Sequence, residues 1–203
     1  EIMPSLVGSE MCIRDSGITA VCRMDDSGNV DEIIDAARCY IGDNVKAYAQ
    51  QRSETVLSGL SVVPTKAIWK ETAGTDDTEA GSYYVQYYSM INGIEFHSAL
   101  YSENGNYNSI VEQSYNMISG YENSDEGGND TDIAQSADGI TMSVASAYWF
   151  YENVPGTTDI YVCESLEKSS LGTSLADKSV SASDMINSCL LYTSDAADEA
   201  RSV

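Results

Sequence analysis

A single histidine limits the acid–base chemistry open to this chain. His97 is the only one among 203 residues, so a Ser-His-Asp triad, a Cys-His pair or a multi-histidine metal site has one available member. No nucleophile or metal-ligand spacing accompanies it, and on the outer face of a hairpin it reads as a cross-strand neighbour of Tyr88. Carboxylates are abundant, with 32 Asp+Glu against 10 Lys+Arg. Paired carboxylates carry glycoside hydrolysis, but here they gather in loops and no spacing selects a pair. There is no glycine-rich phosphate loop and no dinucleotide fingerprint. No catalytic residue is assigned on these grounds.

The binding candidates are aromatic: Tyr84, Tyr88 and Tyr101 on the hairpin's outer face, and Trp149 and Tyr151 on a later strand. Flat rings on an exposed sheet stack sugars or anchor a protein partner. Tyrosine is also a good strand former, and a neighbouring element can cover such a face. The acidic loop "DEGGNDTDI" resembles one unit of the calcium-binding nonapeptide repeats of secreted toxins, through Gly127, Gly128, Asn129, Asp130 and Thr131. That resemblance implies Asp125, Asp130 and Asp132 as oxygen donors to calcium. Such repeats complete one another's cages by stacking, and this copy is single. No other cofactor is expected.

The elements that must position these residues read as α+β. "DDSGNVDEII" resembles a turn entering a helix, with Asn29 and Glu32 at capping-box spacing. Ile34, Ala37, Ile41, Val45 and Tyr48 recur at helical intervals, which predicts one amphipathic helix over about 30–51. It is expected to pack on a mostly antiparallel sheet containing a hairpin at 83–101. In "SYYVQYYSMINGIEFHSALYS" two alternating runs flank Asn92-Gly93, the residues a type I′ turn requires. That turn pairs Ile91 with Ile94, Ser89 with Phe96 and Tyr84 with Tyr101. It puts Tyr83, Val85, Tyr87, Ser89 and Ile91 on a core face, and Tyr84, Gln86, Tyr88, His97 and Tyr101 on a wet one. "ADGITMSVASAYWFYENV" reads as a further alternating strand, and "TTDIYVCESL" as another.

The net charge of −22 disfavours nucleic acid and anionic lipid as partners. No run approaches the roughly twenty apolar residues of a membrane span. Cys22, Cys39 and Cys163 are either buried thiols or one pair plus a leftover.

Both ends depart from this idiom. "LVGSEMCIRD" (6–15) and "CLLYTSDAADE" (189–199) resemble translated frames of a transposase-type sequencing-library adapter. Adapter codons that would encode "EMCIRDS" and "CLLYTS" are an inverted repeat, AGATGTGTATAAGAGACAG against CTGTCTCTTATACACATCT. The resemblance implies that residues 1–16 and 189–203 are adapter-derived tails of a metagenomic-type sequence. The protein proper is then one truncated domain, 17–188. Only Arg14 and Arg201, with six carboxylates, fall in the tails, so the interior stays strongly acidic.

Within that interior, Asn92, Gly93 and Ile94, with Asp138, Gly139 and Ile140, resemble turns in extracytoplasmic lipoproteins and PepSY-like modules of Gram-positive gut bacteria. Glu95 stands where such turns often carry proline. The resemblance implies a non-catalytic extracytoplasmic or cell-surface domain with a binding or regulatory role, its partner an envelope protein or glycan. The alternatives are a fragment of a secreted carbohydrate-active or hydrolytic enzyme whose catalytic part lies elsewhere, and a structural surface or phage protein.

Overall fold

A computed structural model describes residues 5–8, 16–52, 54–60, 63, 65–72, 83–102, 118, 138–163 and 169–172. In chain order the elements are β1 (Ser5–Gly8), β2 (Ser16–Met24), β3 (Val30–Ile41), α1 (Asp43–Gln51), β4 (Glu54–Leu57), β5 (Lys66–Thr72), β6 (Tyr83–Ile91), β7 (Ile94–Ser98), β8 (Ile140–Met142), α2 (Val144–Asn153) and β9 (Ile160–Cys163). The strands form one sheet in the order β4-β9-β1-β2-β3-β8-β7-β6-β5. β1 runs parallel to β9 and β7 parallel to β8, and the other neighbours are antiparallel. The expected α+β class with a mostly antiparallel sheet is what forms. β1 lies within the stretch that resembles adapter, between β2 and β9.

Alternation along the strands separates the buried surface into clusters. The main core joins Val21, Cys39 and Ile41 of the sheet to Val45 of α1 and to Ala147 and Phe150 of α2. Phe96 stacks on Phe150 with centroids 5.3 Å apart. The alternate residues of β2, Ala20 and Cys22, pack instead with Val30, Cys163 and Leu171. A third cluster gathers Val85, Tyr88 and Leu100.

The helix expected over 30–51 is confined to its C-terminal part. Val30–Ile41 is a strand paired along its length with β2. The turn is "DDSGN": the Asp25 carboxylate accepts from the Ser27 and Asn29 amides at 2.8 and 2.9 Å, and Gly28 takes φ +81°. Asn29 thus serves a hairpin, not a helix cap. A register shift pairs Val21 with Asp35 and Cys22 with Ile33, skipping Ile34. Ile33 then packs on the Cys22 cluster while Ile34 packs on the main core. A bulge breaks the period of two, and so imitates the helical spacing of the apolar residues.

The other correction falls on 140–153, expected as one alternating strand. Only Ile140–Met142 is a strand; Ser143 caps a helix, its Oγ accepting from the Ser146 amide at 3.1 Å. The N-cap oxygen satisfies an orphan N–H of the first turn, and Pro155 follows beyond the end.

The Asn92-Gly93 turn forms as expected, with φ +42° and +84° and the pairs Ile91–Ile94, Met90–Glu95 and Ser89–Phe96. The bridge between Tyr84 and Tyr101 keeps the expected register. Asn92 is nevertheless buried. Its Nδ2 donates to the Thr158 carbonyl at 2.8 Å and the Leu57 carbonyl at 3.4 Å, and its Oδ1 accepts from the Leu60 amide at 3.2 Å. Its own amide donates to the Gly156 carbonyl at 3.1 Å.

A second tie comes from "DGI". Gly139 donates to Asn44 Oδ1 at 2.9 Å, and its carbonyl accepts from the Gly42 amide at 2.8 Å, joining β8 to the start of α1. Gly139 has φ +86°, and a Cβ there would lie 2.4 Å from the Glu95 carbonyl oxygen.

Replacing Asn92 by Ala strips the side-chain bonds from two loops at a buried site, so urea denaturation is expected to show a loss of about 2–3 kcal/mol. Asn92→Gly restores the backbone freedom but not those bonds. It should recover only the part of the loss that is due to the positive φ.

Candidate functional site

Tyr87 has φ +53°, a left-handed conformation that a bulky side chain rarely adopts. The ladders on both sides are interrupted at this residue without a change of register. β5 pairs Ala67 with Tyr88 and Trp69 with Gln86, skipping Tyr87. On the other side, pairing with β7 runs from Ile91–Ile94 to Ser89–Phe96 and returns only at the Tyr84–Tyr101 bridge. Within the gap a side chain replaces the ladder: the Gln86 amide donates to Ser98 Oγ at 2.8 Å, and that hydroxyl donates to the Ala99 carbonyl at 2.8 Å.

The Tyr87 ring lies against α2. Tyr148 and Tyr151, three residues apart on the helix, have centroids 4.9 and 5.9 Å from that of Tyr87, tilted by 58° and 54°. Tyr148 is half exposed at 50%. Lys66, opposite Ser89 in the ladder, donates its ammonium to the Tyr151 carbonyl. That carbonyl is one of the four a helix C-terminus leaves unpaired, so Lys66 closes the end of α2. Its nitrogen also lies 5.3 Å from the Tyr151 ring centroid. Burial pulls the Lys66 pKa down, and the Glu152 charge opposes the shift. Ile68, 55% exposed, lies on β5 between the residues paired with Tyr88 and Gln86.

Of the aromatic residues expected to form a site, Tyr151 joins this cluster. Trp149 is half-buried, packs on the main core and meets Phe150 edge-on at 5.9 Å. Tyr84, Tyr88 and Tyr101 do not form a wet face. Tyr84 is half-buried, while Tyr88 and Tyr101 are 2% and 0% exposed. The hairpin is flanked in the sheet by β5 and β8, and Tyr88 packs with Val85 and Leu100. Tyr101 packs edge-on against Trp69 at 5.1 Å and lies 3.5 Å from Gln86 Oε1. Tyr87, placed on the core face by the alternation, packs on the main core and also meets the two helical tyrosines. A positive φ leaves no mark in the residue pattern.

Tyr88 belongs to a separate polar group. Its hydroxyl donates to Glu95 Oε1 at 3.0 Å, Lys70 Nζ reaches the same oxygen at 2.9 Å, and Lys70 lies 3.8 Å from the Tyr88 centroid. Burial raises the Tyr88 pKa against the opposing bond from Lys70. For Lys70 burial acts downward, but the bonds to Tyr88 and Glu95 and the Glu95 charge outweigh it and the pKa is raised. His97 is 3% exposed, not on a surface, with Nδ1 2.8 Å from the Ser98 carbonyl and Nε2 3.0 Å from the Asp138 carbonyl. Both ring nitrogens thus face backbone acceptors. The imidazole acts as a clamp between β7 and the turn before β8.

Cys22, Cys39 and Cys163 are buried, and Cys39 Sγ lies 3.1 Å from Thr19 Oγ1. Burial pushes Cys22 up to about 12, which keeps it an unreactive thiol. Among the described residues no cluster of three or more His, Cys, Asp or Glu could hold a metal ion. Asp125, Asp130 and Asp132 lie outside the described residues. No helix among the described residues is long and apolar enough to cross a membrane.

No protein-family model matches the chain, and no curated protein matches it. Solved structures similar to it include a fused Zn-dependent amidase/peptidase/peptidoglycan-binding domain-containing protein from Clostridium acetobutylicum, at 15% identity and a TM-score of 0.38. Another is an L,D-transpeptidase from Mycobacterium smegmatis, at 16% identity and a TM-score of 0.37. The matches cover 79% and 78% of this chain but 51% and 58% of those chains. The chain thus spans little more than half the length of each.

Asp35, beside the bulge in β3, is pushed by burial from 3.8 up to about 6, against a bond from the Ala36 backbone. A raised carboxyl binds its proton in the folded state before the unfolded chain does. Its stabilising contribution is therefore complete below the unfolded value and is lost as pH rises through the folded one. Asp35→Asn is expected to be stabilising by about 1–2 kcal/mol at pH 7, after allowance for solvent screening, and nearly neutral at about pH 3. Thermal melts of both proteins across that range would check it.

Proposed function

We propose that this chain is a non-catalytic binding domain that acts outside the cytoplasm, at the cell envelope. The Tyr87–Tyr148–Tyr151 cluster is its contact surface. The observation that carries the reading is the backbone of Tyr87. A left-handed φ on a bulky residue costs of order 1–3 kcal/mol and persists where the surrounding structure over-determines it, commonly at functional sites. Here it presents a ring to two helical tyrosines, one of them half exposed. Tyrosine supplies large contact area with a polar end, the chemistry of binding surfaces. His97 is 3% exposed, with its ring nitrogens facing the Ser98 and Asp138 carbonyls, so it serves the scaffold and not this cluster.

The test is retention of the full chain on a Gram-positive cell-envelope fraction. Tyr148→Ala should weaken retention about tenfold, as loss of one good aromatic contact does, with an unchanged circular dichroism spectrum and melting temperature. No retention of the wild type, or equal retention of both proteins, would sink the proposal.

For residues 1–16 and 189–203 the adapter origin is likewise a proposal, supported by the fit of both ends to translations of one adapter and its reverse complement. Amplifying the source locus across Ser16 and Ser188 should replace both ends with other codons. Finding "LVGSEMCIRD" and "CLLYTSDAADE" encoded in place would refute it.

A further inference from the structure

We infer that the place between β2 and β9 is a slot for an apolar strand, supplied in the natural protein by the residues immediately upstream of Gly17. β1 is its stand-in in this chain; this rests on the adapter reading of residues 1–16 above. The sheet order, the side chains flanking the slot and the direction of the strands each contribute.

β9 and β2 are joined through β1, which lies between them in the sheet. Each of its residues pairs on both sides: Ser5 with Val21 and Ile160, Leu6 with Ala20 and Tyr161, Val7 with Thr19 and Val162, Gly8 with Ile18 and Cys163. Strands two places apart stand roughly 10 Å from each other, too far for a direct hydrogen bond. Thr19, Ala20 and Val21 are at most 1% exposed, and Ile160, Val162 and Cys163 at most 3%. Backbone groups at such depth are paired in folded proteins. A protein without the adapter residues therefore needs another strand in this place.

The flanks specify what that strand is like. Residues opposite each other in a ladder share a face. Two of the four slot positions lie in the rows of Val21 with Ile160 and of Thr19 with Val162, and Val21, Ile160 and Val162 belong to the main core. The alternate two lie in the rows of Ala20 with Tyr161 and of Ile18 with Cys163, all of which pack in the second cluster. Both faces of the slot are thus apolar. A strand buried on both faces reads as a continuous apolar run, not an alternating one. β1 supplies serine and glycine at two of the four positions, residues with little apolar surface to bury.

Direction selects the source. The occupant runs antiparallel to β2 and parallel to β9. A segment ending shortly before Gly17 and folding back as a hairpin has that direction, whereas a strand following β9 in parallel needs a crossover of a dozen or more residues.

The experiment replaces residues 1–16 of the full 203-residue chain by those that the source locus encodes before Gly17, and follows amide hydrogen exchange in both proteins by mass spectrometry. The native residues should include four or more consecutive uncharged, mainly apolar residues within a hairpin's reach of Gly17. With them in place, exchange at Ile18–Val21 and Ile160–Cys163 should slow about tenfold in both segments together, with the protein still monomeric. A proline at the centre of the run, which removes a ladder donor, should return both segments to fast exchange. In the 203-residue chain, Leu6→Pro should speed both segments for the same reason.

An upstream sequence without an apolar run, or unchanged exchange in the two segments, overturns the inference and leaves the adapter reading intact. Slowing that appears only with dimer formation assigns the slot to a second copy and also overturns it. Leu6→Pro without effect on either segment removes the slot itself. If the locus encodes "LVGSEMCIRD" in place, the adapter reading fails, β1 is the native strand, and the inference falls with it.

Discussion

The turn at Asn92-Gly93 is the constraint on which much of this architecture rests. A two-residue connection with positive φ at both positions joins β6 to β7 and fixes their register. The same asparagine then reaches out of the turn to the 57–60 and 156–158 segments with its side chain and its amide. Those segments belong to the far end of the sheet, where β4 pairs with β9. One buried side chain thus couples a hairpin in one half of the sheet to loops leading to the other. An amide suits the task because it offers two donors and an acceptor, and burial raises the cost of leaving any partner unmet.

Gly139 plays the corresponding part for the helices. Its backbone presses on the Glu95 carbonyl, leaving no room for a Cβ, while its N–H and C=O tie β8 to the first turn of α1. His97 closes the same junction from β7 through the Asp138 carbonyl. The only histidine is therefore part of the scaffold that sets β7, β8 and α1 against each other. The kink at Tyr87 lies on the next strand, where Ser98 supplies the oxygen that the ladder lacks. The strained tyrosine is held from one side by that bond and from the other by α2.

Where the sequence misled, the reason is physical. In 30–51 a capping-box spacing and a helical stripe both favoured helix, yet 30–41 is a strand: it pairs with β2, and a bulge lets Ile33 and Ile34 point into different clusters. Propensity is a weak prior that tertiary pairing overrides. In 140–153 the apolar positions fit alternation as well as a short helix, and the decisive cue was one hydroxyl, Ser143, placed to cap. The predicted wet face of the hairpin failed because side chains close over it: Trp69 meets Tyr101 edge-on, Lys70 lies over Tyr88, and Val85 and Leu100 pack with Tyr88.

The sequence by itself determined the acidic character, the α+β class, the Asn92-Gly93 turn and the register from Ile91–Ile94 out to Tyr84–Tyr101, because these depend on composition and on contacts close along the chain. Only the tertiary structure decided which tyrosines meet. Tyr87 and Tyr148 are joined across 61 positions by a backbone kink and a helix face, and neither has a signature in residue type or spacing. The same holds for His97, whose ring nitrogens are occupied by the backbone of its neighbour and of a residue 41 positions away. Periodicity reports which residues seek burial; the partner that buries them is a property of the folded chain.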